Sequence, residues 1–243
     1  MAVSIIVLIL YIIAIVLIFK FVKGVIKSIF LALSLLIIIL VVFGVFVAID
    51  LKDIQDNMQT SQNLFLLEKN NKINAGISWS LDGKTQPVFV TKESIDSYSA
   101  ALSSNNLKEI QGDYYKVILI DEKSFDSIDE ISNGQTSYTR QQIINLLNSD
   151  APLDEFIMSS QKGITKDQIA VLKPQLMQTM KIKSDEEFKG FLFAMLFSAA
   201  LEQKGSIFIL DQYKEGNIKV YPETIVFRTL KVIPSSIIEK AVS

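Results

Sequence analysis

The chain has 243 residues, a formal net charge of −2, and neither cysteine nor histidine. Those two absences exclude disulfides, cysteine nucleophiles, histidine-based zinc sites and any Ser-His-Asp arrangement. The near-neutral charge, with no basic stripe carrying interleaved aromatics, argues against a nucleic-acid partner, and catalysis would have to rest on carboxylates, Lys, Tyr, Ser or Thr.

The N-terminus holds two charge-free apolar stretches, Val3–Phe19 and Ser28–Ile49, of 17 and 22 residues. As helices they reach about 26 and 33 Å, against a bilayer core of about 30 Å, so each is long enough to cross once. Between them lies KFVKGVIK, residues 20–27. Lys20, Lys23 and Lys27 are spaced i, i+3, i+7 and share one helical face, while Gly24 can bend the backbone. Each lysine at mid-membrane would cost about 2.5–3.5 kcal/mol, so a turn at the surface is favoured over one continuous crossing. The expectation is a two-helix transmembrane hairpin over residues 1–49. Its lysine turn carries positive charge, whereas DLKDIQD after the second stretch is net acidic. The positive-inside rule then places the turn in the cytoplasm and the rest of the chain outside. The first stretch lacks the basic n-region and small-residue cleavage site of a signal peptide.

The segment FVKGVIKSIFLALSLL (Phe21–Leu36) resembles the junction between the first two helices of the colicin V production protein family, where a basic, glycine-containing turn opens the second helix. Members of that family continue with further membrane helices, whereas this chain continues with the composition of a soluble domain. The resemblance implies an envelope membrane protein and carries over no catalytic residue.

Residues 50–62 read as a juxtamembrane helix or linker, with Leu51, Ile54 and Met58 at near-helical spacing. Residues 63–243 read as one extracytoplasmic α+β domain with antiparallel hairpins and a helical middle. Two strands are predicted around Asn70-Asn71, and a third after a turn at Asp82-Gly83. ESIDSYSAALSS predicts a short helix, and YYKVILI (Tyr114–Ile120) a buried strand. After Asn133-Gly134 four helices are predicted between about Arg140 and Gln203. Thr139 with Gln142, Thr165 with Gln168 and Ser184 with Glu187 have capping-box spacing, Pro152 suits a helix start, Gly163 suits a helix end, and Pro174 should break or kink the third helix. The fourth contains GFLFAMLFSAAL, apolar nearly all round and too short to span, hence a buried core helix. SIFILDQYKEGNIKVY predicts a β-hairpin around Glu215-Gly216. Residues 223–233 fit helix or strand, and Ser236 with Glu239 suggests a last short helix.

Few residues suggest chemistry. GKT (Gly83-Lys84-Thr85) has Ser78 where a P-loop needs glycine, and a strand-like segment follows instead of a helix. The acidic stretch from Asp121 to Glu130 lacks the EF-hand pattern, with Ile131 and Arg140 at ligand positions. Trp79 reads as packing within a strand. Asp121 and Asp211 each end an apolar strand-like run. On neighbouring strands they could act as acid and base or hold a divalent cation, although acids also simply mark where a buried strand surfaces. No pattern calls for a cofactor or a metal. The expected function is membrane-anchored binding or scaffolding in a prokaryotic cell envelope, with the bilayer and another envelope protein or a second copy as partners. The alternatives are a tethered hydrolase using carboxylates, or an accessory subunit of a transport or secretion complex.

Overall fold

The computed structural model describes residues 2–82, 84–132, 137–160, 163–205 and 207–231; for residues 2–26, Leu51, Gln55, Ser132 and Leu230 it describes the backbone alone. The chain divides into two compact units, Met1–Ile49 and Asp50–Ser243. Helix α1, Ala2–Asn57, is drawn through 56 residues, and a two-helix hairpin is not shown. From Ile29 to Phe46 the large apolar side chains are 46–74 % exposed around the whole helix, so this stretch has no protein core to face. It is long and apolar enough to cross a membrane.

The second unit is α+β. A five-stranded mixed sheet has the order β3-β2-β1-β4-β7. Its strands are β1 (Asn63–Lys69), β2 (Lys72–Trp79), β3 (Val88–Phe89), β4 (Val117–Asp121) and β7 (Ile218–Tyr221). β1 lies antiparallel to β2 and parallel to β4, and β7 closes the far edge antiparallel to β4. The β1–β2 turn is the predicted one, with Asn70 and Asn71 both at positive φ, 52° and 60°. β5 (Glu130–Ser132) and β6 (Ser137–Thr139) form a separate antiparallel pair. Residues 133–136, with Asn133-Gly134, lie outside the described residues.

Helices cover both faces of the sheet, which is why β1 and β4 are apolar continuously rather than alternately. On one face α2 (Lys92–Ser103) and α3 (Leu107–Gln111) pack Ile95, Ala101 and Ile110 on Leu64, Leu66, Val117 and Leu119. On the other face α4 (Arg140–Asn148), α5 (Pro152–Ser160), α7 (Asp185–Lys204) and α8 (Ile207–Glu215) bury Phe65, Leu67, Ile118 and Ile120. α6 (Lys166–Met180) lies outside α5 and α7, and Lys173 ties the three together with 2.9 Å ion pairs to Asp154 and Asp185. The starts of α4, α5, α6 and α7 are those the sequence predicts. Thr139 and Thr165 form complete capping boxes with Gln142 and Gln168. Ser184 caps α7 through the Glu187 amide, while the Glu187 carboxylate accepts from Lys183 N rather than from Ser184. Pro174 sits inside α6, which continues through it to Met180.

α7 is the buried helix expected from its composition. Phe197 packs against Phe65 of the sheet at 4.8 Å between ring centroids, Phe193 at 6.1 Å, Phe208 at 6.2 Å and Trp79 at 6.4 Å. The helix comes close to the sheet at Gly190, and Gly76 leaves no room for a side chain on the sheet's opposite face. A Cβ on Gly190 would lie 3.2 Å from the Gly76 carbonyl, and one on Gly76 would lie 2.8 Å from both Leu66 and Val90.

Two expectations change. Ile207–Glu215 is helix α8 and not the first arm of a hairpin; only its second arm, β7, is a strand. Gly205, at φ 64°, ends α7, and α8 leaves at 103° with Phe208, Ile209, Gln212 and Tyr213 buried, a helical spacing. Residues Ile225–Leu230, open to either reading, form helix α9. The helix suggested by Ser236 and Glu239 lies outside the described residues.

Truncating Phe197 to Ala should cost about 3–5 kcal/mol and overpacking through Gly76→Val about 1–3 kcal/mol, whereas Glu202→Ala on the exposed side of α7 should be near neutral. Denaturant unfolding of the full chain in micelles measures all three.

Candidate functional site

Asp121 and Asp211 do not meet as neighbouring strand ends, because Asp211 lies on α8. Asp121, the last residue of β4, is used locally. Its Oδ1 accepts from Lys123 N at 2.9 Å and starts the short 3-10 turn Glu122–Phe125. The carboxylate the sheet brings beside it is Glu68, its register partner on the parallel strand β1. Lys219 on β7 pairs with Glu68 at 3.3 Å, and Lys69 pairs with Glu122 at 2.9 Å. Glu68 is nevertheless buried, and Glu122 Oε1 is buried with no hydrogen-bond partner. In the sequence Glu68 reads only as the flank of a turn. What could have singled it out is its position at the end of an apolar strand, the same signal that marks Asp121. Among the described residues no three acidic side chains converge to hold a metal ion.

Lys84 and Thr85 lie in the connection from β2 to β3, and Gly83 is outside the described residues. The segment satisfies itself. Asp82 Oδ1 accepts from Lys84 N at 3.0 Å, and Trp79 Nε1 donates to Thr85 O at 2.8 Å. A two-residue strand follows instead of a helix, so no helix N-terminus is aimed at a phosphate here. Of the topology residues, Lys27 is exposed, while Lys20, Lys23 and Gly24 fall where only backbone is described.

The most extensively built polar site lies where the exposed apolar stretch ends. Asp50 follows Ile49 directly, and the last turns of α1 belong to the α+β unit. Asp50 Oδ2 accepts from Val226 N of α9 at 2.7 Å. Tyr115 Oη donates to Asp53 Oδ2 at 2.6 Å. Ile54 and Met58 pack against the main core. Beside them Lys116 is only 2 % exposed. Its Nζ donates to Pro222 O at 3.0 Å and lies 4.9 Å from the Tyr115 ring centroid. Burial lowers the Lys116 ammonium below its usual range, and the negative charges of Asp50 and Asp53 oppose that shift.

A second cluster holds α9. Glu223 accepts from Tyr213 at 2.5 Å, Lys231 at 2.8 Å and Arg228 at 3.2 Å. These bonds, that from Lys231 first and then that from Tyr213, bring the Glu223 carboxyl down to about 2. Sequence reasoning missed both clusters: the first joins segments distant in the chain, and the second falls on Tyr213, read as a strand residue, and on 223–231, left open between helix and strand.

No protein-family model, curated protein or solved structure matches this chain.

Two outcomes follow from this geometry. Glu223 has a folded pKa below its ordinary value of 4.5. Its stabilising contribution should be complete above about pH 4.5 and lost as pH falls towards 2. Wild type should therefore melt above Glu223→Gln at pH 7, and the gap should shrink steadily below pH 4.5 in thermal melts. A fragment starting at Asp50 should likewise melt above one starting at Thr60, by circular dichroism, because only the longer one keeps Asp50, Asp53, Ile54 and Met58.

Proposed function

We propose that this chain is a membrane-anchored binding or scaffold protein of a prokaryotic cell envelope, its α+β unit displayed on the extracytoplasmic side. The observation that carries the reading is the charge-free stretch Ser28–Ile49, apolar around its whole circumference, leading without a free linker into Asp50. A surface of this kind needs an apolar solvent. The anchor in this reading crosses twice, with Val3–Phe19 as the first span and Lys20, Lys23 and Lys27 turned to cytoplasmic headgroups. A straight helix of 56 residues would measure about 84 Å, well over twice the bilayer core. The resemblance of Phe21–Leu36 to the colicin V production protein family supports an envelope membrane setting.

Binding is favoured over hydrolysis by how the acids are already used. Asp121 caps a turn, and Glu68 and Glu122 are held by Lys219 and Lys69. The pairing of Glu68 with Asp121 is the one feature that favours the hydrolase reading, and Asp121→Asn with loss of a measured hydrolysis would support it. The partners in the leading reading are the bilayer and either another envelope protein or a second copy.

The chain's lack of cysteine gives a direct test of placement. Ser137 is exposed, so Ser137→Cys in intact cells should react with a membrane-impermeant maleimide. Labelling only after lysis overturns the topology. Replacing Lys20, Lys23 and Lys27 together by Glu should reduce labelling in intact cells, since the charge asymmetry that orients the anchor is reversed.

A further inference from the structure

Three hydrogen bonds draw together three segments far apart in sequence: Asp50–Val226 at 2.7 Å, Asp53–Tyr115 at 2.6 Å and Lys116–Pro222 at 3.0 Å. The first is a helix cap supplied from elsewhere. Thr224 occupies the N-cap position of α9 but makes no side-chain cap bond, and its buried Oγ1 has no partner. The carboxylate that meets the Val226 amide is that of Asp50, from α1. α9 has six residues, too few to hold itself in water, so it depends on what it touches. Its other supports are Phe227, whose ring lies 5.2 Å from that of Tyr213, and the Glu223 cluster.

Lys116 adds a second link between the same segments. It is buried, it holds the carbonyl of Pro222 at the approach to α9, and it directly follows Tyr115, whose hydroxyl donates to Asp53. Moving the tail away breaks the Tyr115–Asp53 bond next to Lys116 and removes the Asp50 cap from Val226. The Pro222 end and the Val226 end of the α9 approach therefore lose support together.

We infer that this junction is a conformational coupling device: displacement of the α1 tail, Asp50–Asp53, releases α9 while the sheet stays folded. Asp50 is the residue directly after the apolar stretch, so a pull on the anchor acts first on the cap of α9. The inference rests on the junction alone and holds whichever partner the domain binds.

Amide hydrogen exchange on the full chain in micelles tests it. Asp50→Ala should speed exchange of residues 223–231 about tenfold and leave β1 and β4 at wild-type rates. Tyr115→Phe keeps the Asp50 cap but frees Asp53, and should speed the same segment to a lesser extent. Asp56→Asn, an exposed change on the same tail, should alter nothing. Unchanged exchange at 223–231 in Asp50→Ala overturns the coupling. An equal rise across the sheet also overturns it, because the tail would then be part of the global core. If Tyr115→Phe leaves 223–231 at the wild-type rate, α9 answers only to its own cap and the device is refuted.

Discussion

The burial of α7 is the constraint on which the rest of the domain depends. Twenty residues long and apolar around most of its circumference, this helix has no stable place at a surface. The helix sits close to the sheet at Gly190, whose missing side chain makes room for the Gly76 carbonyl and Phe89, and Phe197 packs on Phe65. Once α7 is seated, the remaining elements fall into place around it. α4 and α5 wall its flanks, α8 turns across its end, and α6 is held outside by Lys173 reaching Asp154 and Asp185. A sheet covered on this face still needs cover on the other, because β1 and β4 are apolar on both. α2 and α3 provide it.

What was legible in the sequence was local. The Asn70-Asn71 turn, the Thr139 and Thr165 capping boxes, the Ser184 cap and the apolar strands each reside in a few consecutive residues whose preferences agree with the final fold. Ile207–Glu215 shows the limit of that approach. IFIL is an apolar run that fits a buried strand or a buried helix equally well. Gly205 ends α7, and α8 leaves at 103° as a helix that buries Phe208, Ile209, Gln212 and Tyr213, with Phe208 against Phe197 of α7 and Tyr213 against Phe227 of α9. Gly216 marked the end of the element correctly under either reading, which is why β7 was found while α8 was not.

The candidate sites were less legible than the fold, for a related reason. Asp121 was marked as a strand end, but its neighbour was misassigned, since a parallel pairing between β1 and β4 leaves no local trace. Glu68 comes beside Asp121 only through that long-range register. The junction residues Asp50, Lys116, Pro222 and Val226 are drawn from three separate regions. Nothing in its own neighbourhood distinguishes Lys116 from the other lysines of the chain, although it is only 2 % exposed.

The distribution of charge gives the domain its functional character. The acids at the carboxyl end of the sheet are spent on a turn cap and on ion pairs with lysines, an arrangement that fixes strand ends in place. At the opposite pole of the polar inventory, a buried ammonium and two aspartates are concentrated where the apolar stretch enters the domain. Lys116, buried and bonded to the Pro222 carbonyl, is a buried polar group whose best-attested use is to specify one arrangement over others. Here the arrangement specified is the attachment of the α1 tail to the sheet and to α9. A chain whose only concern was to tether a domain could do so with a flexible linker. This one commits Asp50, the first residue after the apolar stretch, to the cap of α9, so that the α1 tail, β4 and the approach to α9 are tied by three hydrogen bonds.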